Sequence, residues 1–170
     1  RYIVHAGAGH TGGSLSCVDI LNVLYNRVLR VSPETFDDPN RDRYVQSKGH
    51  CVEALYAVLA DRGFFPASDL DTVCHYQSHY VGHPTRHIPG IEMNTGALGH
   101  GLPICIGMAL AAKIDAAPYR VFTLLGDGER GAEAIVDERL HDHLAPRLFR
   151  LLYLGTLRFR APGEPARDRV

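Results

Sequence analysis

The chain has 170 residues, with 18 Lys and Arg against 19 Asp and Glu for a formal net charge of −1, and 45% of its residues are hydrophobic. This length suits one ordinary domain with one core and is too short for two full catalytic domains. The balanced charge provides no field to hold a nucleic-acid backbone or an anionic membrane, and no apolar run reaches the roughly 18 residues of a membrane span. We therefore expect a globular protein with no nucleic-acid or membrane partner.

The first predicted element is a helix over residues 16–30, where apolar side chains recur with helical spacing. Ser16 and Asp19 have the spacing of a capping box that would begin this helix. Residues 32–42 are a polar loop, and residues 43–47 are predicted to form a short strand.

A second helix is predicted after residue 51, with Gly63 at its end. A third, short helix would be capped by Ser68 and Asp71. Residues 78–100 are rich in Gly, Pro and His without a regular period, which in a compact domain is typical of a functional loop.

Residues 101–113 are small and apolar and predict a buried helix. Residues 120–125 predict a buried strand that ends at the sequence Gly-Asp-Gly of residues 126–128. Helices that alternate with such strands indicate an α/β fold, in which a parallel sheet is flanked by helices and ligands bind at the carboxyl ends of the strands.

The composition changes after Glu129. Residues 130–170 hold eight of the 16 arginines and neither lysine nor asparagine. A segment around residues 132–144 is predicted to be helical, and the last dozen residues are predicted to be disordered. We therefore divide the chain into a domain over residues 1–129 and a divergent Arg-rich tail over residues 130–170.

The cysteines are spread along the chain and form no CxxC pair: Cys17, Cys51, Cys74 and Cys105. A domain of this size does not need disulfide bonds for stability. Nothing at the amino terminus is typical of a signal peptide, so reduced thiols in the cytoplasm are the simplest interpretation.

Two glycine-rich segments suggest a site for a phosphorylated ligand. Asp127 lies between two glycines after a predicted strand, and such a carboxylate can hold Mg²⁺ against a diphosphate, although Gly-Asp-Gly is also a common turn. Residues 95–101 open a helix and can present backbone N–H groups to phosphate. Their glycine spacing is GxxGxG, which does not favour a dinucleotide site.

Eight of the ten histidines lie in residues 1–100, and several directly follow a glycine. His75, His79, His83 and His87 have a four-residue spacing that would align four imidazoles on a helix for a zinc ion. The prolines and the glycine among them argue against a continuous helix. We expect hydrogen-bonded structural roles for His75, His79 and His87, and a zinc-binding domain is the weaker alternative.

Four blocks of the sequence together resemble the amino-terminal, thiamine diphosphate-binding part of transketolase. They cover residues 6–21, 42–65, 82–102 and 121–129, in the order that the family has them. The likeness is greatest to split transketolases, in which this domain and the pyrimidine-binding domain are separate polypeptides. The resemblance implies a three-layer thiamine diphosphate-binding fold, incomplete at the C-terminal end of this chain.

The resemblance also implies residue roles. Two histidines match catalytic positions that face the sugar and the reacting carbons: His10 and His83. Five residues match positions that contact the cofactor: His50, Gly96, Ala97, Leu98 and Gly128. One carboxylate matches the metal-binding aspartate of the family: Asp127.

The activity implied is the transfer of a two-carbon ketol unit between sugar phosphates, with thiamine diphosphate and Mg²⁺ as cofactors. The resemblance further implies dependence on a pyrimidine-domain transketolase subunit, in a homo- or hetero-oligomer. Imidazoles suit this chemistry because it needs proton transfer near neutral pH.

Two departures from the family pattern follow the Gly-Asp-Gly sequence. The family completes its metal site with a downstream asparagine, whereas the last asparagine here is Asn94. Gly131 and Ala132 stand where the family has a Gln-Glu pair. A shifted reading frame would produce such a tail, and a genuine replacement is the alternative. The second functional hypothesis is a degenerate or truncated non-catalytic relative that acts as an interaction subunit or has no activity.

Overall fold

A computed structural model of the protein describes residues 1–130. Within them the α-helices are α1 (Tyr2–Ala6), α2 (Thr11–Leu15), α3 (Val18–Val23), α4 (Val52–Asp61) and α5 (Gly101–Ile114). The strands are β1 (Arg43–Gln46) and β2 (Val121–Leu124). A π-helical turn over Leu24–Val28 continues α3, and 3₁₀ helices cover Pro33–Thr35, Gly49–Cys51, Ala67–Thr72 and Asp127–Arg130.

The two strands pair in parallel, with Tyr44 opposite Phe122 and Val45 opposite Thr123. The predicted strands and the parallel sheet are therefore confirmed. Because both strands run the same way, the segments that follow them meet at one edge of the sheet, here called the carboxyl edge, and those that precede them meet at the amino edge.

Helices cover both faces of this sheet. Tyr44, Phe122 and Leu124 belong to the main core, in which α4 packs with the π-helical turn and with side chains from the irregular segments. Val45 and Val121 project to the other face and pack in a smaller cluster with Cys105 and Ala109 of α5. Alternate side chains of a strand point to opposite faces, so the order helices, sheet, helix confirms the predicted three-layer α/β fold.

A buried carboxylate joins the two strands at the amino edge. Asp42 is fully buried, and it accepts hydrogen bonds from the guanidinium groups of Arg30 at 3.0 Å and Arg120 at 2.6 Å. It also accepts the backbone N–H groups of both arginines at 2.9 Å. Burial alone would raise the pKa of Asp42, but these hydrogen bonds from Arg120 and Arg30 hold it well below its usual range.

The predicted start of the first long helix is wrong. Cys17 is the N-cap of α3, and no side chain caps this end. The Ser16 hydroxyl is engaged elsewhere, because it donates to the carbonyl oxygen of Gly13 at 2.8 Å and accepts from Lys48 Nζ at 2.9 Å. Ser16 is also the C-cap of α2, with φ −68° and ψ −12° in the helical region, whereas an N-cap residue has a non-helical backbone.

The other helix boundaries give a mixed result. The end of α4 at Gly63 is confirmed, since this glycine has a φ of 79°, in the left-handed region that favours glycine. The predicted cap by Ser68 and Asp71 is wrong, because Ala67–Thr72 is a 3₁₀ helix preceded by Pro66 without a side-chain cap. Neither α1 nor α2 was predicted, and two glycines give α2 a low helix propensity.

The irregular character of residues 78–100 is confirmed, since no helix or strand occurs there. The predicted helix over 101–113 is present as α5, but it is buried along one face only: Leu110 and Ile114 are exposed. Its apolar sequence has no polar face from which this could be predicted. No helix among residues 1–130 has the length and hydropathy to span a bilayer. The helix predicted at 132–144 and the disorder predicted after it lie outside the described residues.

Candidate functional site

Three segments meet at the carboxyl edge of the sheet, where the fold predicts a ligand site. They follow β1 (residues 47–51), precede α5 (residues 95–100) and follow β2 (residues 125–129). The first two touch through their backbones, since a Cβ atom at Gly49 would lie 2.9 Å from the backbone nitrogen of Gly96. Glycine is therefore required at position 49 for the two segments to approach.

Two of the predicted histidines are in contact. His10 directly precedes α2, and His50 lies in the 3₁₀ helix that follows β1. Their ring centroids are 5.0 Å apart, with the rings nearly edge to face at 66°. The structure thus brings together two residues that are 40 positions apart in the sequence.

The third predicted histidine lies against the glycine loop. A Cβ atom at Gly96 would come within 2.9 Å of Cδ2 of His83. The hydroxyl of Tyr56 donates to the carbonyl oxygens of Val81 at 3.0 Å and His83 at 3.3 Å. The buried Tyr56 therefore fixes the backbone that carries His83.

The electrostatic surroundings of His50 favour a neutral imidazole. Burial lowers the pKa of His50 below its ordinary value, and the positive charges of His10, Lys48 and His83 lower it further. The carboxylate of Glu129 opposes this effect. At neutral pH the His50 ring is thus suited to accept a proton or a hydrogen bond.

The residues predicted to contact the cofactor border open space. Ala97 and Leu98 are exposed, and Leu98 retains 47% of its surface. A Cβ atom at Gly128 would meet no other atom within 4 Å. Backbone groups without side-chain cover can approach an anionic group closely, so this surface fits the diphosphate of a cofactor.

One predicted magnesium ligand, Asp127, lies at this edge. Asp127 is exposed at the end of β2, in the position expected for a metal ligand. Within residues 1–129, however, no group of three or more His, Cys, Asp or Glu side chains could hold a metal ion. Mg²⁺ held against a diphosphate needs only one or two protein carboxylates, because phosphate and water supply its other oxygen ligands, so Asp127 fits this role. The metal-binding role of Asp127 stays a prediction.

The absence of a group of three or more metal-binding side chains in the described part of the chain also weighs against the zinc hypothesis. His75, His79 and His87 all lie exposed in irregular or turn segments. This surface position does not support the structural roles expected for them. All four cysteines are free thiols, as their spacing suggested, and only Cys74 is exposed.

Sequence reasoning missed two charged residues that the fold buries at the carboxyl edge, Lys48 and Glu129, which are 8% and 1% exposed. Lys48 Nζ donates to Ser16 Oγ at 2.9 Å and to the carbonyl oxygen of Gly13 at 3.4 Å. Among the described residues it forms no ion pair. Lys48 and Glu129 each lie within two positions of a residue assigned to the site, but the sequence does not show that their side chains are buried.

Comparison with known proteins places the chain in a family. The family model for the thiamine diphosphate-binding domain of transketolase matches residues 2–127. The chain is 50% identical over 135 residues to one subunit of the apulose-4-phosphate transketolase of Phocaeicola vulgatus, covering 79% of this chain and 48% of that protein. It is 45% identical over 124 residues to 6-deoxy-6-sulfo-D-fructose transketolase subunit SqwG of a Clostridium species, covering 72% and 45%.

Whole transketolases match over the same region. Human transketolase is 40% identical over 125 residues, which cover 73% of this chain and 20% of the human protein. The solved structure of transketolase from Leishmania mexicana superposes with a TM-score of 0.67 at 27% identity, over 84% of this chain and 22% of that one. The chain thus spans about half the length of the bacterial subunits and about a fifth of the whole enzymes. The chain belongs to the transketolase family and corresponds to the thiamine diphosphate-binding domain of that family.

Proposed function

We propose that the chain is the diphosphate-binding part of a transketolase-type enzyme that transfers a two-carbon ketol unit between sugar phosphates. The observation that carries the proposal is the gathering of His10, His50 and His83 beside Gly96 at the carboxyl edge of the sheet. Two relatives are named as transketolase subunits, which supports a split enzyme with a partner subunit.

The proposed roles follow from the surroundings of each residue. His10 and His83 are exposed and would orient sugar hydroxyls and move protons. His50 would accept a hydrogen bond, because its surroundings favour the neutral ring. Gly96, Ala97, Leu98 and Gly128 would hold the cofactor through their backbones. Thiamine diphosphate, when bound, supplies the electron sink that such bond cleavage beside a carbonyl requires.

Ketol transfer by the chain together with a pyrimidine-domain transketolase subunit tests the proposal. We expect His83→Ala to lower kcat by about 100-fold, because positioned proton transfer contributes an effect of this order. Binding of thiamine diphosphate, measured by isothermal titration calorimetry, should be nearly unchanged. His79→Ala is the matched control, since this exposed histidine lies in the same irregular segment outside the cluster.

The outcomes separate the competing hypotheses. Equal kcat for His83→Ala and the wild type would remove His83 from the chemistry. No cofactor binding by the wild-type chain with its partner would overturn the function as a whole. For the metal, we expect Asp127→Ala to weaken cofactor binding in the presence of Mg²⁺, and unchanged binding would contradict the assignment.

A non-catalytic relative is the second candidate function. It is favoured by the absence of any asparagine after Asn94 in the sequence, because the family resemblance implies a second metal ligand of this type after Asp127. Such a chain would bind a partner subunit without supporting ketol transfer. Turnover that depends on His83 would exclude it. We further propose that the protein is located in the cytoplasm, where its thiols are reduced.

A further inference from the structure

Glu129 is the most deeply buried charged side chain at the carboxyl edge, with 1% of its surface exposed. Its Oε1 atom accepts the hydroxyl of Ser47 at 2.5 Å and the backbone N–H of Gly99 at 3.0 Å. Its Oε2 atom accepts the backbone N–H of Gly126. One carboxylate therefore joins all three segments that meet at this edge.

Each of these segments carries residues of the proposed site. Ser47 precedes the residues around His50, Gly99 follows the loop of Gly96 to Leu98, and Gly126 precedes Asp127 and Gly128. Hydrogen bonds to a charged acceptor are stronger than neutral ones, and here they are shielded from water. The position of each site segment therefore depends on the same buried group.

We propose that Glu129 is a positioning residue, which holds the three segments of the carboxyl edge in the arrangement that binds the cofactor. The inference rests on the proposed function for the identity of the cofactor. The three hydrogen bonds to Glu129, here called the tie, are present in the chain without any ligand. The carboxylate already occupies the N–H groups of Gly99 and Gly126. Those two amides are consequently unavailable to a diphosphate, and Glu129 shapes the site without contacting the ligand.

The isosteric variant Glu129→Gln tests this role. A glutamine amide offers one acceptor oxygen and one NH₂ group, whereas both backbone amides of the tie can only donate. If the NH₂ group replaces Oε1, the Ser47 hydroxyl can turn and accept, but the N–H of Gly99 loses its partner. If it replaces Oε2, the N–H of Gly126 loses its partner. Either orientation breaks one named amide bond.

Hydrogen exchange measured by NMR on the full chain reads out the tie directly. In the wild type we expect slow exchange of the Gly99 and Gly126 amides. In Glu129→Gln, at least one of these amides should exchange about ten times faster than in the wild type. Asp42→Asn is the matched control, because it alters an equally buried carboxylate at the other edge of the sheet. In Asp42→Asn, the Gly99 and Gly126 amides should exchange no faster than global unfolding of that variant permits.

Titration of thiamine diphosphate into the full chain with its partner subunit tests the consequence. We expect about tenfold weaker binding for Glu129→Gln. Ser47→Ala, which removes one donor and keeps both amide bonds, should have a smaller effect and serves as the second variant if Glu129→Gln does not fold. Asp42→Asn should bind as the wild type does at equal folded fraction.

Three results would overturn the proposal: unchanged exchange of both amides in Glu129→Gln, unchanged cofactor binding by that variant, or tighter cofactor binding, which would mean that the carboxylate competes with the diphosphate. Failure of the wild-type chain to bind the cofactor would instead refute the proposed function. The amide exchange would still decide whether Glu129 holds the three segments together.

Discussion

The two edges of the same small sheet each contain a buried carboxylate, and the two are satisfied in different ways. At the amino edge, Asp42 is paired with the guanidinium groups of Arg30 and Arg120. At the carboxyl edge, Glu129 accepts bonds from a hydroxyl and two backbone amides, all neutral.

This difference separates a structural edge from a functional one. At the amino edge, Asp42 accepts hydrogen bonds from the side chains and the backbone of both arginines, so its carboxylate is fully occupied within the protein. At the carboxyl edge, Lys48 forms no ion pair with another described residue, and the three site histidines lie nearby. Within the described part of the chain, the ammonium group of Lys48 donates only to uncharged oxygen atoms, so no carboxylate of that part neutralises it by direct contact.

The largest expected effect on stability comes from breaking the amino edge. We expect Asp42→Ala to lower the free energy of unfolding by about 3 kcal/mol, because it removes a buried acceptor of charge-assisted bonds that joins three segments. Urea denaturation followed by circular dichroism measures the change. Asp38→Ala, an exposed aspartate in the preceding loop, is the control. A loss no larger than that of the control would show that the edge is not held by Asp42.

The carboxyl edge should respond to Gly101→Ala. A Cβ atom at position 101 would lie 2.6 Å from Cα of Ser47, so the start of α5 would have to move away from β1. We expect a loss of about 1–3 kcal/mol in the free energy of unfolding, as for other overpacked sites. Gly107→Ala is the control in the same helix, where a Cβ atom meets nothing within 4 Å. Equal stability of the two variants would contradict the close packing.

The acid limit of stability should also depend on the amino edge. The pKa of Asp42 is lower in the folded chain than in the unfolded chain, so its contribution is complete above the unfolded value of about 4. This contribution is lost as the pH falls below that value toward the folded pKa. Acid titration of the free energy of unfolding should therefore be flatter for Asp42→Asn below about pH 4. An identical pH profile for the variant and the wild type would exclude this role.

The smallest expected effect is a change in the titration of His50. Removing the positive charge in Lys48→Met should raise the pKa of His50, because that charge disfavours the imidazolium form. Removing the negative charge in Glu129→Gln should lower it. NMR titration of the histidine ring protons measures both shifts, with the ring of the exposed His79 as an internal reference. Shifts in the same direction for both variants would contradict the charge assignment.

The parts of this fold that were predictable from sequence have a strong local signal. The strands ending at Gln46 and Leu124 and the helix end at Gly63 follow from apolar runs and a glycine stop. The cap at Ser16 could not be predicted correctly, because this residue ends α2 with a helical backbone and its hydroxyl contacts Lys48, a partner distant in the sequence. Local spacing carries no information on such a partner.

The site divides in the same way. His10, His50 and His83 were found because they lie in sequence blocks that resemble a known family, and the fold brings them to one edge. Glu129 lies in one of those blocks too, yet its role was not visible. Its importance comes from burial and from donors 30 and 82 residues away, which only the tertiary structure supplies.

The bond between Asp42 and Arg120 joins residues that are 78 positions apart, at the start of the two paired strands. A chain must close this long loop before Asp42 and Arg120 can meet, which costs chain entropy. We expect the pairing to form late, after the transition state. Asp42→Asn should then act mainly by accelerating unfolding, so that the lifetime of the native state, more than the rate of reaching it, depends on this single carboxylate.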